Sequence, residues 1–253
     1  YLLIYTNKMK ILCIIPTFNE DIIKLKKIIY ESKKYVTEIL VIDDGSKIPI
    51  KNLDCKILTN KSNYGKGYSI KRGFRYAINQ GYDVIVTMDA DGEHNPKYIP
   101  IFIKKANNLN GLIVGNRSSY RSVWRKFLNE FGKIWVWILI GKKIDFSSGY
   151  KLIDLDSLKK LELQSNGFEI DLEIILESYK KKISICTVLL GKFDLIKKSH
   201  MHVTDFLKLN IFFDNWIFKN YDLINRHFFI KKFLYLFSFI GKFVNFIFRI
   251  IIR

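Results

Sequence analysis

Two aspartates directly follow an apolar segment of this 253-residue chain. Asp89 and Asp91 lie in the block Asp-Ala-Asp-Gly that comes after the run Asp83 to Met88. The run predicts a buried strand, and a strand that ends in two carboxylates places both beyond the carboxyl edge of a sheet. Oxygen ligands at that edge can share one divalent cation, which is how a nucleotide diphosphate is commonly held. The same pattern also forms turns and caps helices, so a metal site is one of two interpretations of these residues.

Two earlier apolar runs also end in polar or acidic blocks. The first, residues 10–16, leads into P-T-F-N-E at residues 16–20, and the second, residues 37–43, leads into D-D-G-S at residues 43–46. In a parallel sheet the carboxyl ends of the strands meet at one edge, and ligands bind outside that edge. We therefore expect Glu20, Asp43 and the Asp89 block to lie close together.

Strands alternate with helices along the first 190 residues. Strands are predicted at residues 10–16, 37–43, 55–59, 83–88, 112–115 and 183–190, and helices at residues 21–34, 65–80, 96–108, 123–140 and 168–179. This alternation predicts an α/β fold with a mostly parallel, Rossmann-like sheet flanked by helices. Residues 145–150 are expected to form a polar loop. We assign residues 9–200 to one domain that carries the candidate site, and residues 201–253, which are unusually aromatic, to a C-terminal appendage.

The composition supports a packed core and indicates an acidic partner. Hydrophobic residues make up 49% of the chain, and the formal net charge at pH 7 is +18. Such a charge suits nucleic acid, anionic lipid or a phosphorylated substrate, and part of it could reflect an A+T-rich coding sequence. A nucleic-acid partner gives no reason for acidic residues at three strand ends, so we expect no binding of nucleic acid.

The strand-end blocks together resemble a known family. The blocks I-P-T-F-N-E (15–20), V-I-D-D-G-S (41–46) and M-D-A-D-G-E-H-N-P (88–96) are similar to those of family-2 glycosyltransferases, which have the GT-A fold. The segment N-Y-G-K-G-Y-S-I-K-R-G-F-R-Y-A (63–77) resembles the branch of polyprenyl-phosphate sugar synthases, typified by dolichyl-phosphate mannosyltransferase. The later motifs G-N-R (115–117), S-S-G-Y-K (147–151) and F-E-I-D-L-E (168–173) fit the same branch. The resemblance covers roughly residues 10 to 200.

The resemblance implies how a nucleotide-diphosphate sugar, linked to GDP or UDP, is held. The residues that would contact its base and ribose are Pro16, Phe18, Glu20 and Asp43. Asp89 and Asp91 would bind Mg²⁺ or Mn²⁺ together with the diphosphate. Glu93 stands where the family often has Gln and is a third candidate ligand. Lys66, beside two glycines at a predicted helix start, is expected to contact the donor phosphates because a helix N-terminus favours anions.

The resemblance also assigns an acceptor side. Arg117 would bind the phosphate of a lipid acceptor, and together with Asp91 it is the residue we expect to be catalytic. Arg121, four residues further on, would share its helix face, and Ser148 is predicted to join them. The alternative is a solvated basic helix face. Within the motif 168–173 we expect Asp171 to be solvated and Glu169 to face the site.

A phosphate acceptor explains the absence of a motif. Transfer to a sugar hydroxyl needs a carboxylate base, commonly in an adjacent Glu-Asp pair, whereas a phosphate monoester has a second pKa near 6 and is already anionic. No adjacent Glu-Asp pair and no Q-x-x-R-W motif follow Asn116. Both absences favour a phosphate acceptor, and the resemblance then implies an inverting, metal-dependent transfer of one sugar to a polyprenyl (dolichyl-type) phosphate. A family-2 transferase acting on a glycan or lipid hydroxyl is the alternative.

The C-terminal segment predicts contact with a membrane surface. Between residues 231 and 253 polar residues recur every three or four positions, as in an amphipathic helix. The longest stretch without a charge, residues 233–241, is far shorter than the ~20 residues needed to span a bilayer. We expect this segment, and a second aromatic run at residues 206–218, to form interfacial helices at the cytoplasmic face of a membrane. The alternative is that both pack on the first domain as core.

Overall fold

The computed structural model describes residues 9–107, 109–118, 123–191 and 203–223. The strands are β1 (Ile11–Thr17), β2 (Glu38–Asp43), β3 (Lys56–Thr59), β4 (Val84–Thr87), β5 (Gly111–Arg117), β6 (Lys151–Asp154) and β7 (Ser184–Leu190). The helices are α1 (Ile22–Ser32), α2 (Lys66–Gln80), α3 (Ile99–Ala106), α4 (Val123–Ile140), α5 (Leu155–Lys159), α6 (Ile170–Lys180) and α7 (Val203–Lys219). Every strand and helix that the sequence predicted within the first 190 residues is present within a few residues of its expected ends.

The strands form one sheet in the order β3-β2-β1-β4-β6-β5-β7. Strand β6 runs antiparallel to both of its neighbours, and the other paired strands are parallel. The mostly parallel α/β fold is therefore confirmed. The sequence did not predict β6 or α5, because β6 has only four residues and begins with a lysine, so no apolar run announces it.

Apolar side chains cover both faces of the sheet. In β1, Leu12 and Ile14 belong to one buried cluster, and Cys13 and Ile15 belong to the cluster on the opposite face. Helices α2, α4, α6 and α7 contribute to the first cluster, and α1 and α3 contribute to the second. Such two-sided burial is what turns the strands of a parallel sheet into continuous apolar runs. It also leaves the strand ends as the place for polar side chains.

Helix α7 belongs to the core of the first domain. Leu209, Trp216 and Ile217 are buried in the same cluster as residues of α4 and α6. We left open the alternative that residues 206–218 pack in the core. One face of this helix does so. The predicted boundary at residue 200 and the predicted interfacial helix at 231–253 lie outside the described residues. Among the helices that the structure describes, none is both long and apolar enough to cross a bilayer.

Candidate active site

The turn after β4 presents the two aspartates. Met88 and Ala90 are buried, whereas Asp89 and Asp91 are partly exposed. The fully buried His94 accepts a hydrogen bond at Nδ1 from the backbone N–H of Asp89, at 2.8 Å. Burial lowers the pKa of His94, which favours the neutral ring that this hydrogen bond requires. His94 thus fixes the backbone at the first aspartate.

Asp89 is linked to a buried chain of charges. The ammonium group of Lys66 lies 2.6 Å from Asp89 Oδ1 and 2.8 Å from Asp171 Oδ2. The other oxygen of Asp171 accepts a hydrogen bond from Lys151 Nζ, at 2.6 Å. Asp171 is therefore buried and paired, and our expectation that it is solvated is wrong. Helix α6 is buried on nearly all sides, so an acid on it that faces inward must have a cationic partner.

At the start of α2, two backbone N–H groups are already hydrogen-bonded within the protein. The N–H groups of Gly67 and Tyr68 both donate to the carbonyl oxygen of Asn166. A Cβ at Gly65 or Gly67 would collide with the backbone of residues 165–166, so the two glycines permit this close approach. The N–H groups of Gly67 and Tyr68 therefore do not support the helix-terminus argument that we made for Lys66, and its contact with donor phosphates stays a prediction. Its ammonium group lies in the site because it is paired with the carboxylate of Asp89.

The charges of this chain are set by their neighbours. Burial alone would lower the pKa of Lys66, but the carboxylates of Asp171 and Asp89 outweigh it and raise that pKa above its ordinary value. Burial likewise opposes ionisation of Asp89, yet the ammonium group of Lys66 holds its pKa below the usual range. Burial raises the pKa of Asp91, and the nearby charges of Glu93 and Asp89 raise it further. Asp89 and Lys66 are thus firmly charged, while negative charge is crowded around Asp91.

Arg117 ends β5 beside the same turn. Its Nε and Nη2 donate to the two oxygens of Asp145 at 2.7 and 3.0 Å, a bidentate pairing. Nη1 donates to Glu93 Oε2 at 3.1 Å, and Nη2 also lies 2.6 Å from Ser147 Oγ. Asn129 of α4 donates to both Asp145 and Ser147. Burial opposes ionisation of Asp145, but Arg117 outweighs it and lowers the pKa of that carboxyl far below its usual value.

The other predicted acceptor residues have different positions. Ser148 is fully buried, and its hydroxyl accepts from the N–H of Tyr150, so Ser147 is the serine that lies against Arg117. Arg121 lies outside the described residues. Glu169 is half-buried just before α6. The roles of Asp145 and Asn129 were not predicted, because Asp145 reaches Arg117 and Asn129 reaches Asp145 only through contacts between residues that are distant in the sequence.

The predicted nucleotide residues lie on two loops that are joined to each other. The backbone N–H of Asp44 donates to Thr17 O, and that of Asn19 donates to Ser46 Oγ, both at 2.8 Å. Pro16 is buried in β1, Glu20 is half-buried, and Phe18 is more than one-third exposed. The two blocks are therefore adjacent, as expected.

The two acids at the end of β2 organise these loops. Asp43 is fully buried and accepts from the backbone N–H groups of Ser46 and Ile50. Asp44 accepts from the N–H groups of Tyr64 and Gly65 and from the side chain of Asn60. A contact of Asp43 with a nucleotide stays a prediction, beside the structural role that these bonds give it.

Comparison with known proteins identifies the family. The family model described as Glycosyl transferase family 2 matches residues 12–158, more than half of the chain. The chain belongs to this family. It is a glycosyltransferase, and the family resemblance of its strand-end motifs is confirmed.

Several curated relatives of this glycosyltransferase are similar over most of its length. It is 27% identical over 202 residues to an undecaprenyl-phosphate mannosyltransferase of Micrococcus luteus, a match that covers 69% of this chain and 81% of that protein. It is 29% identical over 185 residues to a polyprenol monophosphomannose synthase of Mycolicibacterium smegmatis, covering 64% of this chain and 69% of the relative. The similarity to the polyprenyl-phosphate sugar synthase branch is therefore confirmed.

Solved structures confirm the fold of the glycosyltransferase. The glucosyl-3-phosphoglycerate synthase of Mycobacterium tuberculosis, crystallised with Mn²⁺, UDP and phosphoglyceric acid, superimposes with a TM-score of 0.69 at 15% identity. The match covers 85% of this chain and 81% of that one. At this identity the likeness shows the GT-A fold alone.

The donor set of the glycosyltransferase fits a divalent cation that is shared with a substrate. Among the side chains described around the two aspartates, carboxylates outnumber cations; the carboxylates are Asp89, Asp91, Glu93, Asp145 and Asp171, and the cations are Lys66, Arg117 and Lys151. The described residues contain no group of three or more His, Cys, Asp or Glu side chains arranged to hold a metal by themselves. The excess of carboxylates suits Mg²⁺ or Mn²⁺, which often bind through one or two carboxylates plus phosphate oxygens.

Proposed function

We propose that this glycosyltransferase moves one sugar, with inversion, from a nucleotide-diphosphate sugar to a polyprenyl phosphate. The observation that carries the proposal is the contact between Arg117 and Glu93, at 3.1 Å. This contact joins the guanidinium group assigned to the acceptor with the acidic turn assigned to the donor. An acceptor phosphate bound at Arg117 and a donor diphosphate bound at the acidic turn would therefore lie next to each other. The names of the curated relatives support the same acceptor class.

The residues of the chain divide the work between donor and acceptor. Asp89, Asp91 and Glu93 would hold Mg²⁺ or Mn²⁺, which when bound neutralises the charge that develops on the leaving diphosphate. Lys66 supplies a second positive charge at the same place. Arg117 would orient the acceptor phosphate for attack, because its bidentate pairing with Asp145 restricts the rotation of its guanidinium group. Inversion follows from a single displacement of the diphosphate by a phosphate oxygen.

The charges around Arg117 favour a phosphate acceptor over a hydroxyl. Asp145 is the described carboxylate closest to that arginine, but it is buried, bidentately paired and held with a lowered pKa. A carboxylate in this state is a poor proton acceptor. An acceptor phosphate is already anionic near pH 7 and needs no base.

We further propose that the enzyme works at the cytoplasmic face of a membrane, because its acceptor is a lipid. The amphipathic pattern at residues 231–253 supports this location. The segment would bring the site to the surface at which the lipid phosphate lies.

Donor and acceptor can be tested separately. Thermal stabilisation by GDP- and UDP-sugars in the presence of Mn²⁺ identifies the donor, since a ligand at 100 times its Kd adds about 2.7 kcal/mol. Transfer is then compared between a short-chain polyprenyl phosphate and the matching polyprenol. We expect transfer to the phosphate alone. Transfer to the alcohol at an equal or higher rate would replace this proposal by the hydroxyl-acceptor function.

A further inference from the structure

The charge chain behind the site has a buried end and an open end. Side-chain exposure is 2% for Lys151 and 6% for Asp171, but 12% for Lys66 and 28% for Asp89. The Lys151–Asp171 pair is therefore shut away from solvent. A ligand that enters the site meets the Lys66–Asp89 pair first. Exchange of partners is thus possible only at this open end.

Lys66 has two carboxylate partners, and only one of them is a candidate metal ligand. Its ammonium group lies 2.6 Å from Asp89 Oδ1 and 2.8 Å from Asp171 Oδ2. Asp171 is itself anchored by Lys151 at 2.6 Å, so it stays in place when Lys66 changes partners. A cation bound to Asp89 and the ammonium group on the same oxygen would repel each other. An incoming diphosphate offers Lys66 a new anionic partner.

We propose that Lys66 is an exchangeable counter-ion, bound to Asp89 in the ligand-free enzyme and released from it to the donor diphosphate when a divalent cation binds. This inference rests on the proposed function, since it takes the diphosphate of the donor as the second partner. Its consequence is that cation and diphosphate bind with positive coupling, because each removes the obstacle to the other. Asp171 and Lys151 act as positioning residues that keep the ammonium group within reach.

The test measures Mn²⁺ binding without any turnover. Binding of Mn²⁺ alone, and of Mn²⁺ with saturating UDP or GDP, is followed by electron paramagnetic resonance of the free ion. The binding of Mn²⁺ to each nucleotide is also measured without protein, and the Mn²⁺ held by free nucleotide is subtracted from the total bound Mn²⁺. In the wild-type enzyme we expect the nucleotide to tighten Mn²⁺ binding by a coupling factor within the usual range of about 5- to 150-fold.

Substitution of Lys66 should change the two affinities in opposite directions. Lys66→Met removes the competing cation, so Mn²⁺ alone should bind about tenfold tighter, while the coupling to the nucleotide should fall by a similar factor. Lys66→Gln, which keeps a hydrogen-bond donor, should change both quantities in the same way. It tests the counter-ion role if the Met variant does not melt cooperatively. Lys71→Met is the matched control. Lys71 lies on the same helix and donates to Gln164 and Asn166, away from Asp89, so its loss should leave both quantities unchanged.

Asp171→Asn should change the affinity for Mn²⁺ alone in the opposite direction. Without Asp171 the ammonium group of Lys66 depends on Asp89 alone, so Mn²⁺ alone should bind more weakly than in the wild type. A merely structural role for the charge chain would weaken Mn²⁺ binding in the variants of both residues. Weaker or unchanged binding of Mn²⁺ alone in the folded Lys66 variants would therefore overturn the inference.

Failure of the proposed function can be distinguished from failure of the counter-ion role alone. A wild-type enzyme that binds neither UDP nor GDP with Mn²⁺ would refute the nucleotide-sugar donor and, with it, the coupling. Nucleotide binding combined with an unchanged Mn²⁺ affinity in Lys66→Met would overturn the counter-ion role alone.

Discussion

Gly149 offers a perturbation of the site by one methyl group. A Cβ at this position would lie 2.5 Å from Asp89 Oδ2, 2.6 Å from Asp89 Oδ1 and 2.7 Å from Lys66 Nζ. All three contacts are shorter than the 3.4 Å at which ordinary van der Waals contact begins. The contacted atoms are the ends of side chains, so the backbone of the fold can stay in place. Gly149→Ala must therefore move the carboxylate and the ammonium group.

The size of the effect follows from these distances. The nearest contact falls about 0.9 Å short of normal separation, and a displacement of about 1 Å at a reacting centre can cost roughly 100-fold in rate. We expect Gly149→Ala to lose about 100-fold in kcat/KM. Its melting temperature should stay within a few degrees of the wild type, because the ends of two partly exposed polar side chains, and not apolar core atoms, absorb the change.

The assay combines transfer to a short-chain polyprenyl phosphate with a melting curve. Gly111→Ala is the matched control, since a Cβ there meets the backbone of Ser184 in the neighbouring strand β7. That variant should melt at a lower temperature and keep its activity per folded molecule. Wild-type kcat/KM in Gly149→Ala would refute the close packing of Asp89 and Lys66 against residue 149 in the working enzyme.

Four further outcomes are expected. Asp89→Asn and Asp91→Asn should each lose most turnover with an intact circular dichroism spectrum, and wild-type rates for either in excess EDTA would contradict the metal role. Arg117→Ala should weaken use of the acceptor phosphate by roughly 1.5 to 3 kcal/mol, or about 10- to 150-fold, with little change in nucleotide-sugar affinity; an equal loss of donor affinity would move this residue to the donor side. Arg117 lowers the pKa of Asp145 in the folded protein. The stability that this ionised carboxylate contributes is therefore present above its unfolded-state pKa of about 4 and is lost as the pH falls. Melting temperatures between pH 5 and pH 3 should drop more steeply in the wild type than in Asp145→Asn. Deletion of residues 228–253 should release the enzyme from anionic vesicles and spare activity on water-soluble acceptors, and a stable truncation that remains vesicle-bound would contradict the interfacial role.

The sequence predicted the parts of the fold that depend on local pattern. Apolar runs gave the parallel strands, and helical spacing gave the major helices, because both patterns follow from burial on one or two faces. The antiparallel strand β6 was missed, since its first residue, Lys151, is a buried charge whose partner Asp171 comes 20 residues later. A charge pair of this kind leaves no periodic signal in the sequence.

The site was predictable where it lies on strand ends, and less so where it depends on long-range pairs. Asp89, Asp91 and Arg117 lie at one edge because their strands end there. The partners of Lys66 could not be inferred, because Asp171 was assigned to a solvated helix face. The choice between Ser147 and Ser148 likewise depends on the course of the turn after Asp145, which no local pattern specifies.

The structure of the reaction product shows whether the enzyme transfers a sugar to a lipid phosphate with inversion. The enzyme is incubated with the stabilising nucleotide sugar and a polyprenyl phosphate, and the lipid product is examined by mass spectrometry and ³¹P NMR. We expect one sugar per lipid, a phosphodiester in place of the phosphate monoester, and an anomeric configuration opposite to that of the donor. A product that keeps its free phosphate monoester, or one that retains the donor's anomeric configuration, would contradict the proposed function.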